Sequence, residues 1–164
     1  MPYDIVLKNG TVIDPAQDIH GRCDVAIQDG RIAAFGPDLT TSPSTRIIDV
    51  EGLILTPGLI DIHTHVAEAI MPIAVTPDEA GVRSGVSAVA DAGSVGYATF
   101  NAFKHLVIAK ARTDIFCFLH VCPTGQAVSP EIGWESLDPE RVIGLVEQEP
   151  DVIRGIKIRA NGPA

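Results

Sequence analysis

A chain of 164 residues with 46% hydrophobic and 20% charged residues is long enough for about one domain and too apolar to be disordered. Its formal net charge of −9, with no basic patch interleaved with aromatics, argues against nucleic acid and anionic membrane as partners. No apolar run approaches the roughly 20 residues that span a bilayer. "MPYDIVLKNG" also lacks the basic flank and apolar stretch of a signal peptide.

Residues 1–56 read as short strands joined by tight turns. "YDIVLKNGTVID" alternates around Asn9-Gly10, and "CDVAIQDGRIAAFG" around Asp29-Gly30. Both dipeptides favour the positive φ of two-residue hairpin turns, so each stretch predicts a hairpin. "TTSPSTR" is a loop by composition, and "RIIDVEGLILTPG" resumes the strand pattern. This is a small all-β region.

After Pro57 strand-like and helix-like runs alternate. Strands are expected at "GLIDIHTHV", "SAVADAG", "IFCFLHV" and "VIRGIKIRA", and helices at "TPDEAGVRSG", "TFNAFKHLVIAKAR" and "DPERVIGLVEQE". Asp138-Pro139 suits a helix cap followed by proline at the first helical position. Such alternation implies βαβ units and a parallel sheet, so residues 57–164 form an α/β domain. An open sheet of four strands leaves an edge and a face uncovered, which suggests the front part of a longer protein. The three cysteines, Cys23, Cys117 and Cys122, fit no metal or redox spacing. They read as reduced thiols of a cytoplasmic protein.

Within "TPGLIDIHTHV", strand alternation puts Leu59, Asp61, His63 and His65 on one face and Ile60, Ile62, Thr64 and Val66 on the other. The apolar face suits packing against helices. The polar face then points inward, near the strand end where parallel barrels hold their active sites. Two imidazoles at i and i+2 can converge on one cation, and neutral imidazole suits zinc. The plainer reading is a pair of hydrogen-bonded structural histidines. Asp61 and the Pro57-Gly58 break weigh toward metal. In "VIRGIKIRA", Lys157 falls on the face opposite Ile156 and Ile158. An unpaired ammonium in an inner layer is costly, so this lysine needs a partner or persists as the neutral, nucleophilic amine. A lysine that snorkels from a strand end is the plainer alternative.

"LKNGTVIDPAQ", "DVAIQDGRIAAFG", "IIDVEGLILTPGLIDIHTH", "VADAGSVG" and "GIKIRA", in this order, resemble the amidohydrolase superfamily of metal-dependent hydrolases. The resemblance spans essentially the whole chain and is strongest to the amidohydrolase/deacetylase branch, related to dihydroorotase, hydantoinase and urease. It implies the first half of a (β/α)8 TIM-type barrel over residues 57–164, preceded by part of a β-sandwich over 1–56. His63 and His65 match the family's strand-one metal ligands. Lys157 matches the lysine that CO2 converts to a carbamate bridging two divalent metals, most simply zinc. The remaining family ligands, two histidines and an aspartate, belong to later strands that this sequence does not reach. His105, in an expected helix, reads as a surface or packing residue. His120 ends the third strand, and Asp91, Gly93 and Ser94 end the second; Asp91, Ser94 and His120 are candidates for a substrate rim. Dihydroorotases of the family carry an arginine two positions after the second histidine, where this chain has Ala67.

The implied reaction is hydrolysis of an amide or acyl bond in a small N-acyl amino acid, by a metal-activated hydroxide. Asp61 is a candidate to orient an imidazole from behind. A cyclic amide is the alternative substrate. The 164-residue chain by itself is expected to be inactive, and a truncated, non-catalytic interaction module is the rival from another class. The partner expected is a small acylated molecule, with a homo-oligomer possible for the longer protein.

Overall fold

The structure, a computed structural model, describes residues 3–127 and 136–159. The chain divides into two units, Met1–Pro57 and Gly58–Ala164.

The first unit holds two sheets. One has the order β5-β4-β1-β6, built from β1 (Ile5–Lys8), β4 (Asp24–Gln28), β5 (Arg31–Gly36) and β6 (Arg46–Asp49). The other has the order β3-β2-β7, built from β2 (Thr11–Asp14), β3 (Ile19–Arg22) and β7 (Ile54–Leu55). The Asp29-Gly30 hairpin forms as expected. β4 and β5 pair antiparallel with Gln28 opposite Arg31, and both turn residues have positive φ, 51° and 71°.

The Asn9-Gly10 hairpin does not form. Asn9 has the expected positive φ of 68°, but β1 pairs with β4 and β6 while β2 pairs with β3 and β7. The turn therefore carries the chain from one sheet to the other. Side chains explain why. The Asn9 backbone N–H donates to Asp24 Oδ1, its amide Nδ2 donates to Asp49 Oδ1, and Arg22 Nη2 donates to its Oδ1. These bonds at 2.8–3.0 Å fix a corner that local turn propensity does not encode.

The second unit is a four-stranded parallel sheet in the order β11-β10-β9-β8, from β8 (Leu59–Thr64), β9 (Val86–Asp91), β10 (Asp114–His120) and β11 (Ile153–Lys157). All four expected strands are present. Ala160, the last residue expected in β11, lies outside the described residues. Of the helices, α3 (Pro139–Gln148) forms in full, with Pro139 in its first turn and the Asp138 carboxylate accepting the Arg141 N–H. The other two are shorter than their sequence spans. α1 covers Pro77–Ala80 before the chain tightens into a 3-10 turn over Val82–Ser84. A Cβ at Gly81 would clash with the Thr113 side chain, so close approach to the residue preceding β10 ends the helix there. α2 covers Phe100–Leu106 and passes into a 3-10 turn at Ile108–Lys110, where consecutive β-branched residues crowd the preceding turn. Among the described residues no helix is long and apolar enough to cross a membrane.

The core of this unit gathers Val66, Val89, Phe100, Phe103, Val107, Ile115, Cys117, Leu119, Val142 and Ile153. It fastens β9 and β10 most firmly, since they are the interior strands of the sheet. β8 and β11 are its edges. Ile60 and Ile62, expected to pack on a buried face, are 57% and 71% exposed. Their strand lies at the sheet edge, with the core centred over its neighbours. Ile156 and Ile158 at the opposite edge are also exposed.

Candidate metal centre

The C-terminal ends of the parallel strands gather the sequence-predicted residues into one cluster. The pairing of β8 with β9 is irregular between Asp61 and Thr64. Asp61 lies opposite Val89 and Thr64 opposite Asp91, so β8 carries one extra residue across that interval. The bulge breaks the simple alternation expected for this strand. His63 and His65 still come together, with ring centroids 5.9 Å apart and planes inclined at 75°. Asp61 goes elsewhere: its carboxylate accepts the His63 backbone N–H at 3.0 Å and not an imidazole N–H.

Contact with an imidazole falls instead to Ser94, whose hydroxyl lies 2.9 Å from His65 Nδ1. Ser94 is itself held, because its backbone N–H donates to Asp91 Oδ1 at 2.7 Å. Asp91 is fully buried and accepts the Val66 N–H through Oδ2 at 2.9 Å. One carboxylate thus ties the end of β8 to the loop after β9 and positions the hydroxyl behind His65. Asp91 and Ser94, expected on a substrate rim, are both buried beneath it. The residue motif alone did not distinguish these positions. The separating signal is register, which the sequence does not display.

Gly93 makes room for the other two members. Its φ is +87°, and a Cβ there would lie 2.5 Å from Lys157 Cγ and 3.2 Å from His120 Cδ2. The lysine stem and the imidazole therefore press directly against the glycine backbone. His120 and Lys157 are register partners on adjacent parallel strands, so their side chains emerge side by side. His120 is 5% exposed. Its Nδ1 accepts the Cys122 N–H at 3.0 Å, and its Nε2 is buried without a hydrogen-bond partner. His105 is exposed on α2, as expected.

The electrostatics favour neutral imidazoles. Burial pushes the His65 pKa down; the Asp91 carboxylate opposes this, and His63, Lys157 and Arg159 reinforce it. His120 is lowered by burial and then by Lys157 and Arg159. Burial, followed by the nearby Asp91 charge, pushes the Cys117 thiol far up, and burial raises Cys122, so neither is a ready thiolate.

These donors fit a divalent cation in kind. With Nδ1 of His65 engaged by Ser94, its Nε2 is the nitrogen left for a metal, as when an outer partner sets a ligand's tautomer. They do not complete a centre. Among the described residues no three His, Cys, Asp or Glu side chains converge to hold a metal ion. His63 and His65 stand at the end of β8 and Lys157 at the same end of β11, across the sheet from them.

No family model matches the chain. Individual proteins do. A deacetylase from Agrobacterium fabrum is 33% identical over 137 residues, 81% of this chain and 34% of that protein. A dihydroorotase from Syntrophus aciditrophicus is 42% identical over 90 residues, 54% of this chain and 20% of that one. A crystal structure of a dihydroorotase superposes with a TM-score of 0.84 at 28% identity, covering 96% of this chain and 42% of that chain. The chain belongs to the amidohydrolase superfamily and corresponds to the N-terminal region of its α/β barrel proteins. It spans about a third of the length of the deacetylase and about two fifths of the dihydroorotase structure.

Proposed function

We propose that this chain contributes the first metal ligands of a metal-dependent hydrolase acting on the amide or acyl bond of a small N-acyl amino acid. The observation that carries this reading is that His63 and His65 meet at the end of β8 while Lys157, at the same end of the same parallel sheet, packs its stem against Gly93 after β9 and lowers the His65 pKa from there.

In this reading His63 and His65 would hold a divalent metal through their imidazole nitrogens. The neutral Lys157 amine would bond the carbon of CO2 and lose one proton, giving a carbamate whose anionic oxygens would serve as further metal ligands. When bound, the two ions, zinc being the simplest choice, polarise the acyl carbonyl and lower the pKa of water. Ser94 holds the His65 ring, and Asp91 holds Ser94. Asp61 braces the backbone of the ligand strand and has no direct part in the chemistry. With no complete metal-holding group among the described residues, the 164-residue chain alone is expected to be inactive.

Cyclic amides are the second substrate reading, supported by the dihydroorotase likenesses. One observation weighs against it for substrates bearing a carboxylate at this position. Ala67, two residues after His65, has no exposed surface and packs in the core. An arginine-sized clamp has no place there. The deciding experiment screens N-acyl amino acids and cyclic amides against the whole protein loaded with zinc, and against its His63→Ala variant. Hydrolysis of an acylated amino acid that His63→Ala abolishes supports the reading. Hydrolysis unchanged in the variant overturns it.

A further inference from the structure

The buried, unpartnered Nε2 of His120 is the one polar atom at the site whose state the ligand chemistry leaves unexplained. Its proton can be placed. Nδ1 accepts the Cys122 backbone N–H, so in the neutral ring the proton resides on Nε2. That edge of the ring faces the lysine side: Cδ2, bonded to Nε2, meets the same missing Gly93 Cβ as Lys157 Cγ, and the two residues are register partners. His120 therefore directs a buried donor beside a side chain that, as an ammonium, has only donors of its own. Two donors cannot satisfy each other.

We propose that His120 is a positioning residue for Lys157, its Nε2–H donating to an oxygen of the carbamate formed when the Lys157 amine takes up CO2. The modification replaces a donor-only ammonium with an anionic acceptor at the place where an unpaired donor waits. The ammonium first releases one proton to solvent; the amine nitrogen then bonds the CO2 carbon as one C=O π bond opens onto oxygen, a second proton leaves for solvent, and His120 keeps its own proton throughout. This inference rests on the carbamate reading of Lys157 given above and adds to it a residue from the neighbouring strand.

Two substitutions separate this role from simple bracing of the loop. His120→Asn keeps an acceptor for the Cys122 N–H and loses the reach of Nε2. His120→Gln keeps a donor near Nε2. The readout is the bicarbonate concentration that gives half-maximal zinc loading of the metal-free whole protein, with the 13C carbamate signal from labelled bicarbonate recorded in parallel. The expected result is a shift of about tenfold or more for His120→Asn, the scale of an outer-partner loss, with His120→Gln close to wild type. A His120→Asn protein that loads like wild type, or equal shifts in both variants, overturns the His120 role while leaving the carbamate intact. Absence of any carbamate signal in the wild type overturns the Lys157 reading and this one with it. Labelled-histidine 15N spectra of the wild type give a test that does not depend on variants folding. The His120 Nε2 resonance is expected to move on adding bicarbonate, and a resonance that stays fixed while carbamate forms rejects the proposal.

Discussion

Ser94 and Asp24 show how single polar residues set the properties of each unit. The side chain of Ser94 contributes one hydroxyl to His65. Ser94→Ala leaves Nδ1 without its partner, and zinc affinity of the whole protein is expected to fall by about 10–100-fold. Equilibrium dialysis against a competing chelator measures this, and unchanged affinity would remove Ser94 from the ligand support. Asp24 is buried, which by itself raises its pKa; the N–H groups of Asn9 and Leu39 and the Lys8 ammonium at 3.2 Å outweigh burial and hold it below the ordinary value. An acid whose folded pKa lies below its unfolded one stabilises the fold above the unfolded value. That contribution is lost as pH falls through the folded pKa. Asp49, bonded by the Asn9 side chain, and Asp78, bonded by the Thr113 N–H, act in the same direction. The melting temperature is therefore expected to drop as pH descends through and below the carboxylate range, and Asp24→Asn to make that drop shallower.

At the scale of elements, strand alternation predicted where the strands run, and pairing decided what they do. All four strands after Pro57 were legible because each is a short apolar run bounded by Gly, Pro or a capped helix. The bulge in β8 was not, since an extra residue in one strand is defined only against its neighbour. For the same reason Asp61 left the imidazoles it was expected to orient. Helix lengths were overestimated at α1 and α2, where Thr113 approaches Gly81 and where Val107 and Ile108 follow one another. What holds the helical layer is α2, whose Phe100 and Phe103 are buried to 2% and 0% exposure. Phe103→Ala is expected to cost about 3–5 kcal/mol in denaturant unfolding, the range for removing a buried aromatic ring. A loss below about 1 kcal/mol, roughly a fivefold change in the folding constant at most, would show that α2 does not anchor the sheet.

Over the whole molecule, the exposed apolar residues fall mainly at sheet edges. Leu59, Ile60 and Ile62 lie on β8, and Ile156 and Ile158 on or just after β11. Unpaired edges of this composition invite pairing with other chains. The isolated 164-residue chain is expected to self-associate in size-exclusion chromatography with light scattering, and to hydrolyse no acylated amino acid when zinc is supplied. A monomeric chain would overturn the reading of these edges as open to pairing, and turnover would overturn the incomplete ligand set.

The sequence by itself determined the element types and order, the α/β class and His63 and His65 as ligand candidates. Those depend on local periodicity, turn chemistry and a close residue pair, all short-range along the chain, whereas Lys157 became a candidate only through the family resemblance. The tertiary structure alone decided that Asn9 turns between sheets, that Ser94 and not Asp61 meets an imidazole, and that His120 stands beside Lys157 with a buried donor. Each of these is a relation between residues far apart in sequence, fixed by register and by where buried polar groups find their partners.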